Sequence, residues 1–169
     1  SGICIPTTEV GGDYYDYFKL TDTTFGIVIA DVTGKGASAA FYMAVVKGIM
    51  LSLTSIYFSP KELMIELNRR LLGTMDRRVF ITMIYAIIDL KNKTLNFARA
   101  GHNALLVRSA EKLKTENFIP KGIGLGLAHD SVFDDHIAEQ KFKYKPGDTF
   151  VFYTDGISEA MNEDREEFG

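Results

Sequence analysis

Several residue types and patterns are scarce or absent in this sequence. Its 169 residues include one cysteine, three histidines and no tryptophan, and no run of about 18 apolar residues could span a bilayer. With Cys4 alone, neither a disulfide framework nor a thiolate metal cluster can form, and we expect a small buried or near-terminal hydrophobic residue there. The first residues do not resemble a secretory leader. These absences predict a cytoplasmic protein without membrane insertion.

A basic surface is also absent. The formal net charge is −3 at pH 7 and the sequence pI is about 5.6, so we expect no nucleic acid among the partners. Hydrophobic residues make up 46% of the chain and aromatic residues 12%, which is enough for one sizeable core. No internal repeat or proline-rich linker divides the sequence. We therefore predict one domain that comprises residues 1–169.

Strands are predicted at both ends of the chain and in its middle. The aromatic stretch 12–20 and the apolar stretch 25–31 are separated by a short polar turn, which favours a β-hairpin. Four later apolar stretches also predict strands: residues 79–90, 94–101, 104–108 and 149–156. The first three are separated by turns short enough for an antiparallel meander.

Two helices are predicted between these strand regions. Residues 37–54 contain too many apolar positions for a narrow stripe, so we expect this helix to be largely buried. Ser59, Pro60 and Glu62 have the spacing of an N-cap, a first-turn proline and a capping-box acid. The leucines that follow share one face, which predicts a second helix over residues 59–75.

Two of the predicted strands end on an aspartate. "IVIAD" ends at Asp31 and "FVFYTD" ends at Asp155, while Asp13 directly precedes the first aromatic strand. A carboxylate at the end of a buried strand is costly unless a cation, a helix N-terminus or backbone N–H groups compensate its charge. If the three ends meet, the oxygen-rich pocket suits Mg²⁺ or Mn²⁺ rather than zinc. Alternatively, each aspartate starts a turn or caps a helix.

The glycines after Asp31 also require a comparison with phosphate-binding loops. A Walker A loop needs a glycine and a hydroxyl residue where this sequence has Ile29 and Gly36, so that motif is excluded. Gly34, Gly36 and Ala39 fit a dinucleotide-binding fingerprint. That fingerprint also requires an acid at the end of a second parallel strand about 20 residues on, and no acid is found there.

Two other residues are candidates for a chemical role. Lys35 could attract an anionic substrate, although a lysine in a turn is usually only solvated. His102, in a turn between strands, could donate a proton. The simpler interpretation is a turn histidine whose ring forms a hydrogen bond with the backbone.

Five motifs together resemble one family, the bacterial serine phosphatases of the stage II sporulation protein E and RsbU type, within the metal-dependent protein phosphatase (PPM) superfamily. They occur in the order and spacing of that family and cover nearly the whole chain: "EVGGDYYDYF" (9–18), "ADVTGKGASAAFYMA" (30–44), "FITMIYAIIDLKNKTLNFARAGHNALLV" (80–107), "GIGLGL" (122–127) and "PGDTFVFYTDGISEAMN" (146–162).

The resemblance implies an α+β fold, a four-layer α-β-β-α sandwich of two antiparallel sheets flanked by helices. It also implies two Mn²⁺ or Mg²⁺ ions at one edge of the sandwich. By motif, Asp13 would bind one metal, Asp31 would bridge both and the Val32 carbonyl would assist the first. Asp155 would bind the second metal. In the family a metal-activated water attacks the phosphorus of phosphoserine or phosphothreonine, so no side chain acts as the nucleophile.

The sequence departs from the family pattern in two places. The family normally has a further strand with an acidic pair that completes the ligands of the second metal, and the sequence reaches Gly169 before such a strand. We therefore expect a phosphatase catalytic domain that lacks its C-terminal strand or strands and binds the second metal weakly. The general-acid histidine of eukaryotic relatives is missing from "ADVTGKG", and His102 does not match it, so we assign His102 no catalytic role.

The resemblance also implies partners. The expected substrate is a phosphorylated protein, an anti-sigma-factor antagonist in a partner-switching pathway. Helices 37–54 and 59–75 resemble switch helices that couple a regulatory domain or homodimerisation to the metal site. The alternative function is a phosphatase-fold regulatory module with little or no activity.

Overall fold

The computed structural model describes residues 2–5, 11–34, 36–76 and 78–168. These residues form eight strands and four helices. In chain order the elements are β1 (Tyr14–Lys19), β2 (Thr24–Val32), α1 (Ala37–Leu53), α2 (Pro60–Leu72), β3 (Ile81–Asp89), β4 (Thr94–Ala100), β5 (Leu105–Arg108), β6 (Thr115–Phe118), α3 (Asp130–Asp135), β7 (Glu139–Lys143), β8 (Thr149–Val151) and α4 (Asp155–Ser158).

The strands form two antiparallel sheets. One has five strands in the order β1-β2-β3-β4-β7, and the other has three in the order β6-β5-β8. This arrangement confirms the predicted α+β sandwich of two antiparallel sheets with helices. None of the helices in the described residues combines the length and hydrophobicity that crossing a bilayer requires.

The five-stranded sheet contributes to a hydrophobic core on each of its two faces. Alternating residues of β2, Val28, Ala30 and Val32, belong to the core that contains the buried faces of α1 and α2. The opposite face contributes to a second core, shared with the three-stranded sheet, whose fully buried members include Ala86, Phe97 and Leu105. The period-2 alternation of a strand is what allows one sheet to serve two cores.

The first helix has the predicted bounds but not the predicted burial. Its buried residues fall on one face: Ala39, Met43, Val46, Met50 and Leu53. On the other face Phe41 is 70% exposed and Leu51 is 58% exposed. The prediction of a largely buried helix was therefore wrong, because α1 packs on a single sheet and its apolar outer face has no neighbouring layer in the described residues.

The second helix begins as predicted. Ser59 caps it by accepting a hydrogen bond from the backbone N–H of Glu62, and Pro60 occupies the first turn. The helix ends at Leu72 rather than at residue 75. The buried Asn68 ties this helix to a later loop, since its amide donates to the Ala128 carbonyl at 2.9 Å and its oxygen accepts from the Gly126 N–H at 2.8 Å.

The predicted meander is wrong at its third strand. β3 and β4 pair as expected, but the second neighbour of β4 is β7, and β5 belongs to the other sheet. The chain leaves the five-stranded sheet at Gly101, which has a φ of 67° that other residues rarely adopt. The last predicted strand also ends early, at Val151, so that Asp155 begins a short helix instead of ending a strand.

Gly122 should be intolerant of any side chain. A Cβ atom at this position would overlap the backbone carbonyl of Arg99, so we expect Gly122→Ala to lower the free energy of unfolding by more than about 3 kcal/mol. The matched control is Gly48→Ala in α1, where a Cβ meets nothing within 4 Å and should stabilise the helix by about 0.5–1 kcal/mol. Urea unfolding of both variants tests this, and equal effects would contradict it.

Candidate metal centre

Asp31 lies at one end of the sandwich, between the two sheets. It is the penultimate residue of β2 and pairs with Thr82 of β3 in the antiparallel register. Its neighbours Ala30 and Val32 point into the helix-covered core, so the alternation of the strand directs Asp31 to the other face. There it lines a cavity of about 180 Å³ together with Asp155 and His102.

Asp13 and the Val32 carbonyl lie beside Asp31 because the backbone approaches closely at Gly12. A Cβ atom on Gly12 would lie 2.7 Å from the carbonyl oxygen of Val32 and 3.1 Å from Oδ1 of Asp31. The Val32 N–H also donates to the Gly12 carbonyl at 3.3 Å. Because Gly12 has no side chain, the segment that contains Asp13 can approach the Val32 carbonyl oxygen and the Asp31 carboxylate closely.

Asp155 reaches the same region from the other sheet. It is the first residue of α4, and the preceding Thr154 donates a hydrogen bond from Oγ1 to Oδ2 of Asp13 at 2.8 Å. A Cβ atom on Gly156 would lie 3.7 Å from that same carboxylate oxygen. All four predicted ligand positions are therefore neighbours at one end of the sandwich, although they come from three separate parts of the chain.

The carboxylates repel one another strongly. Burial, then the negative charges of Asp13 and Asp155, raise the pKa of Asp31 to about 7, and a side-chain hydrogen bond with Asp13 adds to this increase. The backbone N–H of Val32 opposes it only in part. A carboxyl group with such a pKa stabilises itself at neutral pH either by keeping a proton or by binding a cation.

The oxygen atoms of these residues are of the type that binds divalent cations. Their side chains, however, do not converge on one point. Within the described residues, no group of three or more histidine, cysteine, aspartate or glutamate side chains is arranged so that it could hold a metal ion. Asp31 and Asp13 form the close pair, and Asp155 acts on Asp31 through its charge. Carboxylate and carbonyl oxygens are the ligands that Mg²⁺ and Mn²⁺ prefer.

The burial of His102 was not predicted from the sequence. It is 4% exposed, and its Nδ1 lies 2.8 Å from Oγ1 of Thr82. Burial lowers the pKa of His102 to about 4, although the Tyr153 backbone and the charge of Asp155 favour the protonated ring. The ring is neutral at pH 7. Its pattern in the sequence, a histidine between two strands, gave no sign of this burial.

The remaining sequence candidates are resolved by the topology. The dinucleotide-binding alternative is wrong, because α1 does not connect parallel strands and β2 pairs antiparallel with both of its neighbours. Lys35 lies outside the described residues. Cys4 is exposed, which suits its position near the end of the chain.

The fold is that of a PP2C-type phosphatase domain. The phosphatase domain of SpoIIE from Bacillus subtilis, described as a PP2C domain, matches with a TM-score of 0.72 at 20% identity, over 88% of this chain and 42% of that chain. The structure of RsbX in complex with magnesium matches with a TM-score of 0.71 at 16% identity, over 89% of this chain and 69% of that chain.

The sequence comparison identifies the family. The sequence model of the Stage II sporulation protein E (SpoIIE) family matches residues 21–169, so the chain belongs to the SpoIIE family, as its motifs predicted. The phosphoserine phosphatase RsbU of Bacillus subtilis is 32% identical over 164 residues, which are 95% of this chain and 47% of RsbU. The chain spans less than half the length of the curated relatives it matches.

The metal-free domain should be stabilised by removing the charge of Asp31. Its raised pKa means that the folded state loses stability as the pH rises from about 4 through about 7. In EDTA at pH 8 we expect Asp31→Asn to raise the free energy of unfolding by about 1–2 kcal/mol, a value reduced for the partial exposure of the group. At pH 5 the gain should be much smaller.

Urea unfolding at both pH values measures this difference. Glu163→Gln, at an exposed position, is the control for a general loss of negative charge. A gain for Asp31→Asn that is equal at pH 5 and pH 8, or equal to that of the control, would contradict the assignment.

Proposed function

We propose that this chain is the catalytic domain of a metal-dependent serine/threonine protein phosphatase. The observation that carries the proposal is the convergence of Asp13, Asp31 and Asp155 at the end of a PP2C-type sandwich, with Asp31 at a pKa of about 7. Membership of the SpoIIE family and the identity with a phosphoserine phosphatase support it. The substrate would be phosphoserine or phosphothreonine on a partner protein.

Two Mn²⁺ or Mg²⁺ ions would be the cofactor. Asp13 and the Val32 carbonyl would hold one ion, Asp155 the other, and Asp31 both. When bound, such ions lower the pKa of a water molecule and neutralise charge on the phosphoryl oxygens. The description of RsbX as a complex with magnesium supports a divalent cation in this fold.

The cavity beside these carboxylates would receive the phosphoryl group. Its volume of about 180 Å³ corresponds to about six water molecules at ~30 Å³ each. Among the described side chains that line it there is no lysine or arginine. Asp31 and Asp155 would repel a phosphate monoester, so cations must supply the positive charge.

We also propose that residues 1–169 form a single catalytic domain. The three-stranded sheet is smaller than the five-stranded sheet it packs against. Tyr17 of β1, on the face directed away from α1, is 74% exposed. Residues of both sheets share one core, which supports a single domain.

The substrate and location follow from the family. An anti-sigma-factor antagonist in the cytoplasm is the proposed substrate, by analogy with the family's phosphatases. We propose a second candidate function, an inactive phosphatase-fold regulatory module, because the described carboxylates do not form a closed metal-binding group.

An activity measurement distinguishes these two functions. We expect Mn²⁺-dependent phosphate release from a phosphoserine protein or peptide by the full-length protein, and a loss of at least about 100-fold in Asp31→Ala. Glu163→Ala, at an exposed position, should keep the wild-type rate. Equal rates for wild type and Asp31→Ala would remove the metal-site assignment, and a wild type without activity at saturating Mn²⁺ would favour the regulatory module.

The outer face of α1 is the proposed contact surface for a second copy of the chain. Phe41, Leu51 and the nearby Phe58 are 58–70% exposed, and contiguous apolar side chains on a protein surface commonly mark an interface. A regulatory domain is the other occupant that the family suggests.

Leu51→Lys should weaken such a dimer without unfolding the domain, since Leu51 lies on the exposed face of the helix. Sedimentation velocity should show at least about a tenfold weaker association constant for this variant. Ser131→Lys in α3, at an exposed position away from α1, is the control for an added lysine. A wild type that stays monomeric at every concentration would exclude the dimer and leave the regulatory domain.

A further inference from the structure

A nitrogen atom of His102 is buried beside the carboxylate site without a hydrogen-bond partner. His102 is 4% exposed, and within the described residues its Nε2 has no partner. Its ring lines the same cavity as Asp31 and Asp155. A buried polar atom left unpaired is costly, so a nitrogen in this position at the wall of a polar cavity indicates a missing ligand.

The surroundings determine which ring nitrogen carries the proton. Thr82 Oγ1 lies 2.8 Å from Nδ1, and a hydroxyl group can donate to that nitrogen. Within the described residues, the Thr82 hydroxyl forms only this one side-chain hydrogen bond. Its proton is used only if Thr82 donates to Nδ1, which favours the tautomer with the ring proton on Nε2.

The two threonine hydroxyl groups in the cavity wall are engaged. The hydroxyl of Thr33 donates to the Phe80 carbonyl at 3.1 Å and accepts from the Phe80 N–H at 3.0 Å. The hydroxyl of Thr82 is used by His102. Nε2–H of His102 thus remains as a fixed donor whose direction is set by a buried ring, and such preorganised donors bind oxyanions without reorganisation.

We propose that Nε2–H of His102 donates a hydrogen bond to a phosphoryl oxygen of the bound phosphate monoester, which makes His102 a substrate-binding residue of this site. This inference rests on the proposed phosphatase function. It assigns to His102 a binding role and no transfer of a proton.

A competing role would be ligation of a metal ion through an unprotonated Nε2. A hydrogen bond from the Thr82 hydroxyl to Nδ1 opposes that tautomer. Oxygen ligands are also the preferred neighbours of Mg²⁺ and Mn²⁺. The two roles make opposite predictions for the affinity of the protein for Mn²⁺.

A pair of amide variants tests the proposal in the full-length protein. Gln at position 102 can place an amide N–H near the position of Nε2, whereas Asn can reach only the position of Nδ1 and keeps the bond with Thr82. Both variants are polar and smaller than histidine, so they are matched for folding. His129→Asn, at an exposed position, is the control for histidine loss.

We expect His102→Asn to weaken inhibition by inorganic phosphate and to lower kcat/KM for p-nitrophenyl phosphate by about 10- to 100-fold at saturating Mn²⁺. His102→Gln should stay within about threefold of wild type, and the Kd for Mn²⁺ from calorimetry should be unchanged in both. Long-range ¹H–¹⁵N NMR of the metal-free protein should show the proton on Nε2, a measurement that does not depend on activity.

Three results would overturn the proposal: a proton on Nδ1, a Mn²⁺ affinity that falls in His102→Asn, or equal effects of the Asn and Gln variants on phosphate binding. A wild type that binds inorganic phosphate through His102 but hydrolyses no monoester would contradict the proposed function and support this inference. A wild type that binds no phosphate in the presence of Mn²⁺ would overturn both.

Discussion

The burial of Asp31 beside two further carboxylates is the constraint on which this end of the molecule depends. Asp31 is half-buried, in hydrogen-bond contact with Asp13 and within the field of Asp155, and its pKa is about 7 as a result. Burial weakens the screening by water that would otherwise let three negative charges coexist. The surrounding structure holds these groups together at a cost in stability, which is typical of functional sites.

Two features of the fold impose that proximity. On the five-stranded sheet, the close approach at Gly12 brings Asp13 beside Asp31 and the Val32 carbonyl. The chain then leaves this sheet at Gly101 and builds the smaller sheet, whose last strand, β8, is followed by Asp155. The crossing from one sheet to the other, which made the predicted meander wrong at β5, is therefore what assembles the site from two sheets.

The elements set by local patterns could be predicted from the sequence, while those set by distant contacts could not. The cap at Ser59 and the apolar residues of α1 are local patterns, so both helices were predicted. The exposure of the outer face of α1 could not be predicted, because it depends on how many layers surround the helix. Asp31 and Asp155 were singled out because an acid after an apolar strand is costly, and Asp13 because it directly precedes an aromatic strand. The burial of His102 depends on Thr82, 20 residues away, and no local pattern contains that contact.

The neutrality of His102 explains why a histidine suits this wall of the cavity better than a lysine or an arginine. A cationic side chain next to Asp31 and Asp155 would pair with them and compete with divalent cations for the same carboxylates. A neutral imidazole, held uncharged by burial, can donate a hydrogen bond without neutralising that negative charge. The carboxylates would thus remain available to cations, and in the proposed function recognition of the phosphoryl oxygens would be divided between those cations and the uncharged imidazole.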